Sequence, residues 1–94
     1  MPPSRRYFHR YSCVLDSLLL SVRETDRSTA FDVRVVRKPR EAVFSQALII
    51  RPGTVLKLRR GANSVRFVKV RVFIPRMQYA GRFVAGGVIE IEES

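Results

Sequence analysis

The stretch 65–74 reads Val-Arg-Phe-Val-Lys-Val-Arg-Val-Phe-Ile, and in an extended chain successive side chains point to opposite faces. Val68, Val70, Val72 and Ile74 then form one continuous aliphatic face, the expected core side. The other face carries Phe67, Lys69, Arg71 and Phe73, two cations bracketed by two rings. Cations pair with phosphate oxygens, and aromatic rings are platforms on which unpaired bases stack for roughly 1 to 3 kcal/mol each. That combination is the chemistry of a nucleic-acid-binding sheet.

The neighbouring run adds charge to it. With Leu56 and Leu58 toward the core, Lys57 and Arg59 fall on the same outer face as Lys69 and Arg71, while Arg60 and Arg66 flank the turn between the two runs. Like charges on adjacent strands cost folding free energy, so such a face is easier to understand if a polyanion neutralises it. The stretch 75–82 reads as a loop bearing Arg76, Tyr79 and Arg82, again cations about a ring. The N-terminus mixes Arg5, Arg6 and Arg10 with Tyr7, Phe8 and Tyr11. Fifteen arginines against three lysines point the same way, because guanidinium binds phosphate bidentately and stacks on bases.

A plainer reading stands beside each of these. Lys69 and Arg71 are then simply solvated, Phe67 and Phe73 are covered by a second layer or a subunit, and residues 1–10 are a frayed basic tail. Glu90, Glu92 and Glu93 crowd the last five residues, either as a solubilising terminus or as partners for basic residues on an adjacent strand or subunit.

For catalysis the inventory is poor. General acid/base and nucleophilic sites need partners that converge, yet the chain has one histidine, His9, and one cysteine, Cys13. Asp16, Asp26 and Asp32 lack a metal-ligand spacing, and Gly86-Gly87 lacks the further glycines and following helix of a phosphate loop. The expectation is a protein that is not an enzyme and takes no cofactor or metal.

Composition sets the outer bounds. The 94 residues make one small domain with a modest core. A hydrophobic fraction of 46% is globular, and a net charge of +10 calls for a polyanionic partner. A lone cysteine excludes an intramolecular disulfide and, with a single histidine, a four-ligand zinc site. The longest apolar runs fall far short of the ~20 residues that cross a bilayer. Asp16 interrupts the apolar stretch after the N-terminal arginines and no small-residue cleavage site follows, so the expected location is cytoplasmic. Two glutamines and one asparagine fit a high-temperature origin, although a GC-rich genome also raises arginine over lysine.

Turn signals cut the chain into short pieces rich in Val, Ile, Phe and Leu, giving a basic arm over 1–10 and one β-rich domain over 11–94. The stretch 13–24 fits either a helical face or, in its second half, a strand. Phe31, Val33 and Val35 alternate with Asp32 and Arg34, as a half-buried strand requires. A tight turn at 38–41 leads to 42–50, which ends in Leu48-Ile49-Ile50 and reads as a strand with a short helix as the competitor. Arg51-Pro52-Gly53-Thr54 is a type II turn. Strands follow over 55–60 and 65–74, and a last one over 82–92 with a bulge at Gly86-Gly87.

The expected fold is an all-β, six-stranded antiparallel barrel or sandwich, of OB-like or SH3-like size. The alternative is α+β, with helices at 12–25 and 40–50 on a four-stranded sheet. The expected function is non-enzymatic binding of single-stranded nucleic acid or structured RNA, DNA or RNA alike, with low sequence specificity. The competing expectation is a small basic subunit of a polymerase, ribonucleoprotein or viral assembly that binds protein through exposed rings and β-edges. Val84, Val88 and the edge of the last strand leave room for a homodimer.

Overall fold

The structure is a computed structural model and describes residues 7–37, 48–79 and 83–92. Six strands, β1 (Arg10–Leu15), β2 (Leu18–Glu24), β3 (Ala30–Arg37), β4 (Val55–Arg60), β5 (Ser64–Tyr79) and β6 (Phe83–Ile91), close into an antiparallel barrel. Their spatial order is β1-β2-β3-β6-β5-β4. No described residue is helical, so the barrel expectation holds.

The helix weighed for 12–25 is a β-hairpin. Asp16 and Ser17 form its two-residue loop with φ of 49° and 67°. Positive φ at both positions is the hairpin turn whose twist matches the flanking strands. Glycine or asparagine usually marks this turn, and their absence hides β1 in the sequence. Arg10, placed by the sequence in the arm, already pairs with Arg23. The next turn is closed by Thr25, whose Oγ1 donates to the Ala30 carbonyl at 2.8 Å and accepts from the Arg27 N–H at 3.3 Å.

β4 lies beside β1 through the pair Ser12↔Arg59, so β4-β1-β2-β3 is a Greek key with residues 38–54 as its long return. Both edges of β3 are occupied, by β2 and β6. The β6 pairing reaches only Arg34, and the strand expected over 42–50 is corrected over 48–50, which has no strand pairing. Leu48 and Ile50 serve as core plugs instead, both buried among the barrel's side chains. The rest of that stretch and the turn at 38–41 lie outside the described residues. The type II turn is present: Gly53 has φ 89° and the Thr54 N–H donates to the Arg51 carbonyl at 3.1 Å.

Inside, Leu20, Val22, Phe31, Val33, Leu56, Leu58, Val70 and Ile89 are fully buried. The alternation read for β2, β3 and β4 holds residue for residue. In β5 it does not. Val70 pairs with Ile91 but Val72 with Glu90, so Arg71 is an extra, bulged residue. Beyond it the faces exchange: Phe73 lies opposite the buried Ile89 and packs on the core, while Ile74 is 54% exposed.

The bulge expected at Gly86-Gly87 is absent, since β6 pairs without interruption through both residues with β3 and with β5. Close approach explains these glycines. A Cβ on Gly86 would collide with the Val33 carbonyl oxygen, and one on Gly87 with the Ile74 carbonyl and the Phe73 ring.

Two outcomes follow for stability. Gly87→Ala has to displace backbone as well as the Phe73 ring and lowers stability by more than ~2 kcal/mol, read by denaturant unfolding. Burial pushes the Cys13 thiol above its ordinary pKa, a hydrogen bond from the Lys57 backbone only partly offsetting this. The unfolded chain therefore ionises first. This contribution is intact below the ordinary thiol pKa and is lost as pH climbs toward the raised native value. Cys13→Ala should flatten that alkaline decline, measured as unfolding midpoint against pH.

Candidate nucleic-acid interface

The outer wall of β4 and the first half of β5 holds Lys57, Arg59, Phe67, Lys69 and Arg71 of the residues singled out from the sequence. Register sets Lys57 opposite Phe67, Lys69 opposite Val55, and Arg59 opposite Val65. Each cation thus faces an apolar side chain, and the like-charge crowding expected from the sequence is relieved because directly opposed positions alternate in kind. Phe67 is 65% exposed and the Lys57 ammonium stands 6.0 Å from its ring centroid, at the outer reach of a cation–π contact. Lys69 lies 3.7 Å from the Glu92 carboxylate with both side chains largely in water, a pair of little energetic weight. Arg71 is exposed at the bulge that follows.

The other expected members go elsewhere. Phe73 is turned inward by the bulge, so the two-ring face reduces to Phe67 alone. Arg66 sits across from the buried Leu58. Its guanidinium carbon lies 5.5 Å from the centroid of buried Phe31 and its Nη1 3.9 Å from the Glu24 carboxylate. Arg60 contacts both ring nitrogens of His9, and the His9 backbone N–H donates to Glu24 Oε1 at 2.7 Å. Arg60, His9, Glu24 and Arg66 are thus a linked group around one carboxylate, distinct from the row of Lys57, Arg59 and Lys69. Arg76 and Tyr79 lie in β5 rather than in a loop, with Tyr79 paired to Phe83. Pro75 is tolerated there because β5 has already parted from β4 at Lys69, leaving an edge without a ladder bond to lose. Arg5, Arg6 and Arg82 lie outside the described residues.

Of the acids near the C-terminus, Glu90 and Glu92 pair with basic residues on other strands or turns, and Glu93 lies outside the described residues. Glu90 is buried, held by Arg27 at 2.6 Å and by the Thr29 hydroxyl, which donates at 3.2 Å. Among the described residues, no three His, Cys, Asp or Glu side chains group closely enough to hold a metal ion, and no helix is long and apolar enough to cross a membrane. Cys13 is buried in the core whereas His9 is exposed.

A second basic surface was not singled out from the sequence. Arg10, Ser21, Arg23, Asp32, Arg34 and Arg76 line an open groove with Gly86 and Gly87 in it. The sequence puts Arg10 in an arm and Arg76 in a loop, apart from Arg23 and Arg34, and only strand register brings them together. Protein-family models, curated proteins and solved structures yield no match to this chain.

The bulge predicts opposite fates for two phenylalanines that period-2 alternation treats alike. Phe73→Ala should cost about 2 kcal/mol by opening space against the core, whereas Phe67→Ala should stay within about 0.5 kcal/mol of the parent, both measured by chemical denaturation.

Proposed function

We propose that this protein is a non-enzymatic binder of single-stranded nucleic acid or structured RNA, engaging phosphates with Lys57, Arg59, Lys69 and Arg71 and stacking a base on Phe67. The observation that carries this reading is a phenylalanine ring 65% exposed on a flat strand face, with cations beside it on the same strand and on its partner. A large apolar ring left in water costs free energy unless something covers it. A base covers it while its phosphates meet the flanking cations. One platform and backbone charge give affinity with little sequence discrimination.

A second reading rests on the apolar members of the same wall. Val55 and Val65 on it, with Val14 on the neighbouring β1, are exposed by 58%, 44% and 70%, and β5 beyond Val70 has no partner on its β4 side among the described residues. These suit a small subunit that meets a protein partner through apolar contact and strand addition.

Salt separates the two. Binding to an oligothymidylate should weaken steeply with salt, each of Lys57→Ala and Lys69→Ala reducing the log-log slope by about 0.7. Phe67→Ala should weaken binding by ~1 to 3 kcal/mol with the slope unchanged. A flat slope in the parent protein would abandon the nucleic-acid reading in favour of the protein-binding one, since apolar interfaces hold or tighten in salt.

A further inference from the structure

The groove on the outer wall of β2, β3, β6 and the second half of β5 is a separate surface from the Phe67 face. Register aligns Ser21 with Arg34, Arg34 with Gly86, and Gly86 with Arg76 across four consecutive strands. The result is a bare glycine floor with a guanidinium on each side and a hydroxyl next along. Gly86 cannot carry a side chain, because a Cβ there would collide with the Val33 carbonyl. The groove is therefore floored there by backbone, the Val33 carbonyl included, with no side chain from β6 rising into it.

We propose that this groove binds a phosphate group, clamped over Gly86 between Arg34 and Arg76. Three observations carry it. The first is charge: Arg10, Arg23, Arg34 and Arg76 line the groove against one carboxylate, Asp32. The second is that none of these four arginines forms an ion pair among the described residues, where the pairs are Arg27 with Glu90, Arg66 with Glu24 and Lys69 with Glu92. Arg10 and Arg23 stand directly opposite each other on paired strands, a like-charge pair that the Asp32 carboxylate across from Arg23 offsets only in part. The third is size. The groove encloses about 200 Å3, against roughly 30 Å3 for a water in the liquid, enough for a phosphate or two linked phosphates with some hydration.

Chemistry selects the ligand class. Arg34 and Arg76 both line the groove, and planar guanidinium forks match the oxygens of a tetrahedral phosphate. Asp32 lies opposite Arg23 and one strand pair away from the Gly86 row, so it repels an anion from that end and seats it at Arg34 and Arg76. The phosphate comes either from a free phosphate compound or from a nucleic-acid backbone, and the two sources make different demands on the same residues.

Pyrophosphate titrated at constant ionic strength, followed by calorimetry and by the arginine Nε–Hε resonances, tests the first source. A saturable site should appear in which the Arg34 and Arg76 resonances shift, and the double variant Arg34→Gln with Arg76→Gln should bind about tenfold more weakly or worse. Lys57→Ala with Lys69→Ala should leave it unchanged. Oligothymidylate binding by the same double glutamine variant tests the second source, and a log-log salt slope reduced by about 1.4, the share of two phosphates, assigns the groove to a nucleic-acid backbone. Circular dichroism and melting of each variant confirm that the barrel is intact. The proposal is overturned if pyrophosphate fails to saturate and the oligothymidylate slope is unmoved, or if pyrophosphate binds equally well without both arginines. Loss of oligothymidylate binding in Phe67→Ala with pyrophosphate binding retained separates this groove from the Phe67 face.

Discussion

What β5 turns inward and what it turns outward depends on one extra residue within it. That strand serves two neighbours, β4 along its first part and β6 along its second, and a strand that must turn from one partner to another inside a closed barrel needs a local kink. Arg71 supplies it as a bulge. Because side chains alternate with period two, inserting one residue exchanges the faces beyond it. Phe73 moves to the core, Ile74 and Arg76 move out, and Phe73 then occupies the space in which Gly87 cannot carry a Cβ. The outward placement of Arg76 beside Gly86 and the loss of Phe73 from the face that Phe67 occupies both descend from that insertion.

The few acids are placed where they do the most for a chain of net charge +10. Glu24 ties His9 and Arg66 together, Glu90 is buried against Arg27 and Thr29, and Glu92 reaches Lys69. Of these, Glu90 matters most to the fold, since its carboxylate is taken out of water and would be costly without both partners. With its acids engaged in this way, the protein leaves Lys57 and Arg59 on one wall and Arg34 and Arg76 on another without carboxylate partners among the described residues. Among the described residues these cations gather on two local surfaces, one with a ring between cations and one with a glycine floor.

Much of the architecture was legible along the chain. Strict alternation in 31–35 and 55–60, the Pro-Gly turn at 52–53 and the loop after Arg60 each report local constraints, and a strand's inward and outward faces need only neighbouring residues to declare themselves. Length, a lone cysteine and turn spacing bounded the answer to one small β-domain. The β1–β2 loop escaped because Asp16 and Ser17 adopt positive φ without the glycine that usually announces it, the surrounding hairpin holding them there. Leu48 and Ile50 look like strand residues because burial, not pairing, selects their type.

What only the tertiary structure decided is everything that depends on which strand lies beside which. Sequence alone determined a basic, all-β chain with Lys57, Arg59, Phe67 and Lys69 turned outward, because those residues share a face by local alternation. Register is a relation between distant segments, so it set Lys57 against Phe67, brought Arg34 and Arg76 to either side of Gly86, and took Arg66 to Phe31 and Glu24. The bulge at Arg71 belongs to the same class. Nothing in Val-Lys-Val-Arg-Val-Phe marks an extra residue, since the requirement arises from closing six strands into a ring.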